Sequence, residues 1–251
     1  MLRTYFIDGD KGGIGKTFLC HLLVDFYLYS NQNNNESEYC LVLFDADLVN
    51  KDFSTYPIRR HDGKLIPCFG IDLSIIEGWQ FLERKLLRYI KNNQSARAII
   101  NCPGNLLNYI KQCDSHEVGA IMTRINMLPL WIFNRSPLCL LNLQERQRLL
   151  PLNYKKGVAI LNLYFGNQVD FLHWNLSQFR NTHITKGEWI EITLPTLNHE
   201  ISAEFSGMPI KNWFEYGYNG KQPSMGLKLA FNCFLKQSYK TLSLIESLEV
   251  I

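Results

Sequence analysis

A glycine-rich segment between a short apolar run and a helical pattern constrains this chain more than any other feature of its sequence. It occupies residues 11–17 (KGGIGKT), after the apolar residues 5–7 and before the run 18–24. Such a turn exposes successive backbone N–H groups around an anion, and the helix N-terminus adds partial positive charge. Lys16 can reach the β- and γ-phosphates, and the Thr17 hydroxyl can ligate Mg²⁺. The segment therefore predicts a nucleoside triphosphate site.

One position departs from the plain phosphate-loop pattern. The first glycine of that pattern falls at position 10, where this chain has Asp10, and a second lysine, Lys11, follows it. A carboxylate near phosphates is unfavourable unless it points away or pairs with a cation. The sequence alone therefore does not determine the local charge of the loop.

The rest of the chain alternates short apolar runs with amphipathic stretches. This alternation predicts an α/β fold, with a mostly parallel central sheet and helices on both faces, as a single domain over residues 1–251. We expect strands at the apolar runs 4–7, 40–45, 97–101, 129–133, 157–164 and 188–194. We expect a loop at 30–38 and a final helix over about 226–247, with a buried side comprising Leu227, Leu229, Ala230, Phe234 and Leu242. A further amphipathic helix is predicted from the spacing of Trp79, Leu82, Leu86, Tyr89 and Ile90.

Two carboxylates follow the second apolar run, at Asp45 and Asp47. Ligands of open α/β sheets lie beyond the carboxyl ends of the strands, so both side chains are expected to face the crevice of the phosphate loop. Their tasks there would be to support Mg²⁺ through water and to orient the attacking water. The alternative is a solvated strand end that caps the next segment.

The third predicted strand ends in Asn101, followed by Cys102, Pro103 and Gly104. Phosphate-loop NTPases carry a second magnesium-holding aspartate at this place. Asparagine keeps one acceptor and adds a donor but loses the charge. We therefore expect weaker Mg²⁺ binding and slow hydrolysis.

Composition narrows the protein class. The chain has 251 residues, 46% hydrophobic content and a net charge of +3, with a mean hydropathy of −0.12. No apolar stretch approaches the length of a membrane span, and the start lacks a signal-peptide pattern. Seven scattered cysteines without a Cys-x-x-Cys fit reduced thiols, so the expected location is the cytoplasm.

The paired lysines Lys11 and Lys16, with Thr17 and then the sequence Asp45-Ala46-Asp47, resemble the deviant Walker A ATPases typified by ParA and MinD. Three later segments are similar to strands of the same family: LWIFN at 130–134, VAILN at 158–162 and ITLP at 192–195. Details after Asp47 and after Asn162 look most like ParA-like proteins of plasmid stability and mobilisation operons.

The resemblance implies a mechanism and a set of roles. ATP and Mg²⁺ would bring two subunits face to face, and hydrolysis would separate them. Lys11 would contact the γ-phosphate of the partner subunit, Lys16 would serve its own nucleotide, and Asp47 would orient the attacking water. Thr17 would ligate Mg²⁺, with Asp45 supporting the ion through water. The implied nucleotide-binding residues are Gly12, Gly13, Gly15, Lys16, Thr17, Phe18, Asn162 and Pro195.

The family also implies partners, namely a protein that stimulates hydrolysis and either DNA or a membrane. A basic amphipathic terminal helix would indicate a membrane, but residues 242–251 carry Glu246 and Glu249 and no lysine or arginine. Non-specific DNA could contact one of two basic groups, unless these are simply solvated charges. They are Lys211, Lys221, Lys228, Lys236 and Lys240, or Arg59, Arg60 and Lys64.

Three other interpretations stay open from sequence. Asn101 favours a weakly hydrolysing nucleotide-binding scaffold or regulatory protein. A small-molecule kinase or synthetase could use the same loop, although no acceptor motif is present. A metal cluster shared across a dimer would need a cysteine beside the nucleotide, for which Cys102 is the candidate. ATP is preferred over GTP only through the resemblance.

Overall fold

The computed structural model describes residues 2–33, 39–60, 62–92, 95–204, 209–210, 213–214, 217, 221–246 and 248. Within these residues the strands form one sheet in the order β3-β2-β4-β1-β5-β6-β7, and every pair is parallel. The strands are β1 (Leu2–Gly9), β2 (Cys40–Asp45), β3 (Cys68–Gly70), β4 (Ala96–Asn101), β5 (Met127–Phe133), β6 (Gly157–Asn162) and β7 (Trp189–Leu194).

Six of these strands coincide with the six apolar runs of the sequence. The run 157–164 is too long by two residues, because β6 ends at Asn162 and a 3-10 turn follows at Leu163–Phe165. The edge strand β3 was not predicted, since three residues give no periodicity to recognise.

Helices cover both faces of the sheet, as predicted. They are α1 (Lys16–Asn33), α2 (Ile76–Lys91), α3 (Leu106–Gln112), α4 (Ser115–Arg124), α5 (Pro137–Leu149), α6 (Leu172–Asn175), α7 (Gln178–Thr185), α8 (His199–Glu204) and α9 (Met225–Glu246). Two apolar cores result, and β1 shows the division. Phe6 belongs to one core and stacks on Trp79, while Tyr5 and Ile7 point into the other, because successive strand side chains alternate between faces.

The end of α1 and the buried face of α2 differ from the sequence prediction. Helix α1 continues to Asn33, so residues 30–33 are helical rather than loop, and residues 34–38 lie outside the described part of the chain. In α2, Trp79, Leu82 and Leu86 are buried as predicted, but Ile90 in the last turn is 41% exposed.

The final helix α9 is present, but its buried side differs from the predicted one. Leu229 and Ala230 are exposed, and the buried stripe consists of Phe231, Phe234, Leu235, Ser238, Leu242 and Ile245. This stripe repeats every three or four residues. Residues 229 and 230 lie two positions and one position before Phe231 and therefore project away from this stripe.

The end of α9 is fixed to the amino ends of β1 and β4. Glu246 accepts hydrogen bonds from Arg97 on β4 and from the hydroxyls of Tyr5 and Tyr27. Arg3 donates to the carbonyl oxygens of Ile245, Glu246 and Leu248. Burial favours a higher pKa for the Glu246 carboxyl, but the hydrogen bonds from Arg97 and the tyrosines hold that pKa below its usual value. The carboxylate therefore ties the last helix to the sheet.

Among the helices that the structure describes, none combines the length and apolar character needed to cross a bilayer.

Candidate functional site

The phosphate loop joins β1 to α1 at the carboxyl edge of the sheet. Gly13 has φ of +76° and Gly15 has φ of +102°, a region that side-chain-bearing residues rarely adopt, so the glycines are required by the backbone. The Lys16 ammonium folds back over the loop and donates to the Lys11 carbonyl oxygen at 2.6 Å. Lys16 is only 6% exposed, so its charge is held inside the loop.

A cavity of about 620 Å³ opens beside this loop, within the size range of small-molecule sites. The predicted nucleotide-binding residues all line it: Gly12, Gly13, Gly15, Lys16, Thr17, Phe18, Asn162 and Pro195. Asp47 lines it as well. Residues from four separate parts of the chain therefore meet around one space.

Lys11 and Asp10 behave differently from the rest of the loop. The Lys11 residue is exposed, and only its carbonyl oxygen takes part in the loop, as the acceptor for Lys16. Asp10 does not line the cavity; its carboxylate lies beside the Cys139 thiol at the start of α5. Burial raises the pKa of Cys139, and the Asp10 carboxylate adds to the rise. The Asp10 carboxylate therefore does not face the cavity.

The two acidic residues at the carboxyl end of β2 do not share one environment, which corrects the prediction that Asp45 faces the crevice of the phosphate loop. Asp47 faces the cavity, and the Asn50 backbone N–H donates to its Oδ1 at 3.1 Å. Asp45 is buried and does not line the cavity. Its Oδ2 accepts from both the Ser54 N–H (3.0 Å) and the Ser54 hydroxyl (2.8 Å).

The reason for the difference is that β2 ends at Asp45. Beyond that residue the chain leaves the sheet, so strand alternation no longer places Asp45 and Asp47 on one side. Burial raises the pKa of Asp45, although hydrogen bonds from Asn101 and Ser54 oppose the rise.

Asn101 ends β4 directly beside Asp45. Its side-chain nitrogen donates to Asp45 Oδ1 at 3.0 Å, and the Cys20 thiol lies 3.8 Å from its oxygen. The loop that follows abuts the phosphate loop, since a Cβ at Gly104 would lie 2.9 Å from the Gly12 nitrogen. Asn101 therefore ends β4, as the sequence predicted, but its side chain is buried against a carboxylate and does not line the cavity.

Asn162 lies between the end of β6 and the phosphate loop. Its side-chain nitrogen donates to the Ile14 carbonyl oxygen at 3.0 Å, and its side-chain oxygen accepts from the Tyr164 N–H at 3.2 Å. A Cβ at Gly15 would lie 2.9 Å from the same nitrogen. Asn162 thus contacts the loop itself as well as the cavity.

The far end of the cavity is mainly apolar and aromatic. Phe18 at the start of α1 meets Phe234 of α9, with ring centroids 5.8 Å apart. The lining residues that the sequence did not predict are Ile14, Asn50, Asp52, Tyr164, Phe165, Leu194, Leu197, Ser202 and Phe234. Phe234 was predicted to be buried, but nothing local to it indicates contact with Phe18. Flat apolar walls of this kind suit a planar base.

A buried ion pair supports β1 just before the loop. Asp8 and Arg146 are almost inaccessible, and Arg146 Nε lies 2.9 Å from Asp8 Oδ2. The Tyr154 hydroxyl donates to the same oxygen, and the Gly9 N–H donates to Asp8 Oδ1. The pair fastens the strand before the phosphate loop to α5. This ion pair was not predicted, because its two residues are 138 positions apart in the chain.

Two further side chains near the site, His21 and Cys102, are buried. His21 is buried and meets Phe53 edge-on. Cys102 is fully buried, so it does not lie on a surface that could share a metal cluster with a second subunit. No group of three or more metal-binding side chains occurs within the described ranges.

The two groups of basic residues considered for DNA binding differ in their surroundings. Asp62 forms ion pairs with Arg60 and Lys64, which reduces the charge that this group offers. Lys236 and Lys240 are exposed one turn apart on α9. Lys211 lies outside the described residues.

No protein-family model matches the sequence, and no curated protein matches it. Among solved structures, the chain is similar to the MinD cell division protein of Aquifex aeolicus, with a TM-score of 0.52, 11% identity and coverage of 99% of both chains. Chloroplast FtsY from Physcomitrella patens has a TM-score of 0.41 and 10% identity over 77% of this chain and 58% of that chain. FtsY from Mycoplasma mycoides has a TM-score of 0.38 and 11% identity over 64% of this chain and 52% of that chain. The similarity to MinD shows a MinD-like P-loop NTPase fold, a single α/β domain whose described residues form a seven-stranded, all-parallel sheet.

Proposed function

We propose that this protein is a Mg²⁺-dependent ATPase that acts as a homodimeric switch. One observation carries the proposal: Lys16, Thr17 and the loop glycines line one wall of a cavity whose other walls hold Asp47 and a set of aromatic side chains. Backbone N–H groups and a buried ammonium suit a triphosphate. The aromatic end suits a base.

The residues present fit a magnesium ion, because the Thr17 hydroxyl lines the cavity and the Asp47 carboxylate adds negative charge to the same space. Thr17 would ligate the ion together with water and phosphate oxygens, the kind of ligand that Mg²⁺ prefers. When bound, the ion neutralises charge that develops on the phosphates. Lys16 binds the β- and γ-phosphates from the loop side. Asp47, held by the Asn50 N–H, accepts a hydrogen bond from the attacking water and orients it.

Two exposed features beside the cavity support a second subunit facing it. Lys11 projects from the loop into solvent, free to reach a neighbouring γ-phosphate. Val49 is 87% exposed and Leu48 is 40% exposed, both directly after Asp47. Apolar side chains at such a rim favour burial against a partner. Nucleotide exchange and hydrolysis at this face would then control dimer formation.

A role in plasmid or DNA segregation, or in conjugative transfer, follows from the resemblance to ParA-like proteins. The exposed Lys236 and Lys240 on α9 support contact with the phosphate backbone of non-specific DNA. A further protein partner would stimulate hydrolysis.

The second candidate function is a nucleotide-binding scaffold that hydrolyses slowly. The Asn101–Asp45 hydrogen bond favours the scaffold. At the end of β4 an amide stands where phosphate-loop NTPases carry a carboxylate, and that amide donates to the neighbouring Asp45 carboxylate. Steady-state phosphate release, with and without DNA, separates the two functions. Turnover that DNA or a partner stimulates supports the switch, and turnover that stays at background supports the scaffold.

The nucleotide site itself is tested by ATP affinity in Lys16→Ala. Loss of charge-assisted hydrogen bonds should lower affinity at least about tenfold. Lys155→Ala removes an exposed lysine outside the cavity and serves as the matched control. Unchanged affinity in Lys16→Ala would refute the site. Light scattering after size exclusion, in ADP and in a non-hydrolysable ATP analogue, tests the dimer.

A further inference from the structure

We propose that Asp8 is a positioning residue for the phosphate loop, and that Arg146 and Tyr154 hold its carboxylate in place for that task. The inference rests on the proposed nucleotide site and goes beyond it, because Asp8 does not line the cavity. The contact that carries it is the 2.7 Å hydrogen bond from the Gly9 N–H to Asp8 Oδ1. Gly9 is the last residue of β1, where the chain leaves the sheet to form the loop.

Other donors fix the Asp8 carboxylate from the opposite side. Arg146 Nε donates to Oδ2 at 2.9 Å, and Arg146 Nη2 donates to Oδ1 at 3.4 Å. The Tyr154 hydroxyl donates to Oδ2 at 3.2 Å. Burial raises the pKa of Tyr154, and the Asp8 carboxylate adds to the rise, so the hydroxyl keeps its proton. The carboxylate cannot turn without losing one of these donors, so its oxygen stays aimed at the Gly9 N–H.

The position of Gly9 is transmitted to the loop through Ile14. A Cβ at Gly9 would collide with Ile14 Cδ1, so the Ile14 side chain lies directly on the Gly9 backbone. Ile14 is buried and is flanked by Gly13 and Gly15, both with positive φ. Because glycines impose little conformational preference of their own, the place of Ile14 decides the course of the loop between them. Asp8 therefore acts on the loop through Gly9 and Ile14.

Net stability is a poor explanation for the ion pair. Asp8 and Arg146 are almost completely buried, and the attraction between two such charges often fails to offset the loss of their hydration. Arg146 Nη1 also has no hydrogen-bond partner among the described residues, and a buried donor without an acceptor is unfavourable. Removal of one partner would still destabilise the fold, because the other charge would remain buried alone. The contact with Gly9 gives the pair a role that an apolar pair could not take.

Two combined variants separate positioning from stability. The apolar variant, Asp8→Val with Arg146→Met and Tyr154→Phe, removes both charges and the acceptor for the Gly9 N–H. Its unfolding midpoint should equal or exceed that of wild type. Its affinities for ATP and for inorganic tripolyphosphate, which has no base, should both fall about tenfold.

The neutral variant, Asp8→Asn with Arg146→Met, keeps a side-chain oxygen for the Gly9 N–H and an amide that can donate to the Tyr154 hydroxyl. Its affinities for both ligands should stay within about twofold of wild type, because the acceptor is preserved without the charge. Titration calorimetry on the full chain measures both ligands, and thermal unfolding measures the midpoint. Arg148→Met, an exposed position on the same helix, is the matched control.

Wild-type affinities in the apolar variant would overturn the proposal, and so would an equal loss in the neutral variant. If the apolar variant fails to fold, amide exchange at Gly9 is measured without ligand in wild type and in the neutral variant. Slow exchange in both supports the hydrogen bond to residue 8, and fast exchange in either overturns the proposal. Wild-type protein that binds neither ATP nor tripolyphosphate would refute the nucleotide site itself, whereas binding that survives in the apolar variant refutes only the role of Asp8.

Discussion

Asn101 donates its side-chain amide to Asp45 at 3.0 Å across the carboxyl ends of two neighbouring strands. The two residues are register partners in the parallel pair β2–β4, and both are buried. Because the amide engages Asp45 Oδ1 and Ser54 engages Oδ2, both oxygens of that carboxylate are committed. In the structure Asp45 therefore helps to fix the loop beneath the cavity, and Asp47 is the carboxylate that faces it.

Asn101→Asp should create a pair of touching carboxylates. Without Mg²⁺ we expect a loss of about 1–3 kcal/mol in the free energy of unfolding, because a donor is replaced by a like charge. With Mg²⁺ and ATP we expect faster hydrolysis, since the variant restores a charge that could support the ion. Thermal unfolding and phosphate release across a Mg²⁺ titration measure both effects.

Asn101→Ala is the control, because it removes the hydrogen bond without adding charge. It should be destabilised with no Mg²⁺ dependence of its unfolding midpoint. Identical turnover of wild type and Asn101→Asp at every Mg²⁺ concentration would show that another step limits hydrolysis.

Asp47→Asn should reduce ATP turnover by about a hundredfold or more while ATP affinity changes only a few-fold. The physical reason is the loss of the acceptor that orients the attacking water. Single-turnover hydrolysis and equilibrium binding separate the two effects. Asp62→Asn, an exposed carboxylate outside the cavity, is the control. Wild-type turnover in Asp47→Asn would show that Asp47 does not orient the attacking water.

Lys11→Ala should bind ATP normally but fail to dimerise in its presence. The Lys11 side chain is exposed and does not line its own cavity, so its loss should leave the subunit's own nucleotide contacts intact. Light scattering after size exclusion in a non-hydrolysable ATP analogue tests this, with Lys155→Ala as the comparison. A dimer that persists in Lys11→Ala contradicts the cross-subunit role.

Glu246 should make stability pH-dependent in the acid range. Hydrogen bonds from Arg97 and the tyrosines outweigh burial and lower its pKa in the folded protein. Its contribution is therefore present above the unfolded pKa and is lost as the pH falls through the lower, folded pKa. Glu246→Gln should cost about 1–3 kcal/mol at pH 7, and the difference from wild type should shrink below about pH 4.5.

Chemical unfolding from pH 7 to pH 3 measures this difference. Glu200→Gln removes an exposed carboxylate and should follow the wild-type profile. A constant difference between Glu246→Gln and wild type over the whole range would contradict the assigned role.

Arg146→Met should destabilise the protein by about 3–5 kcal/mol, because it leaves the Asp8 carboxylate buried without its cation. Arg148→Met changes an arginine on the same helix that is 77% exposed and pairs with surface Glu145. That control should change the free energy of unfolding by less than about 0.5 kcal/mol. Equal effects of the two substitutions on the free energy of unfolding would show that the buried ion pair does not contribute to stability.

The phosphate loop was predictable because its determinants are adjacent in the chain. Residues 11–17 carry the glycines, the lysine and the threonine in one turn, and the strand before and the helix after follow from apolar spacing. Six strands were predicted for the same reason, since each is a buried apolar run. The edge strand β3 and the exposure of Ile90 were not predicted, because short segments and last helical turns carry little periodic signal.

What the amino-acid sequence determined alone was local: a glycine-rich turn between a strand and a helix, the alternation of strands with helices, and acidic or amide residues at strand ends. Tertiary structure decided which of those residues touch. The order of strands in the sheet brought Asn101 against Asp45 and Asn162 against Ile14, and the return of α9 brought Phe234 to Phe18. The reason is physical: hydrogen bonds and ring contacts depend on distances in space, which the packing of the two cores sets and sequence separation does not.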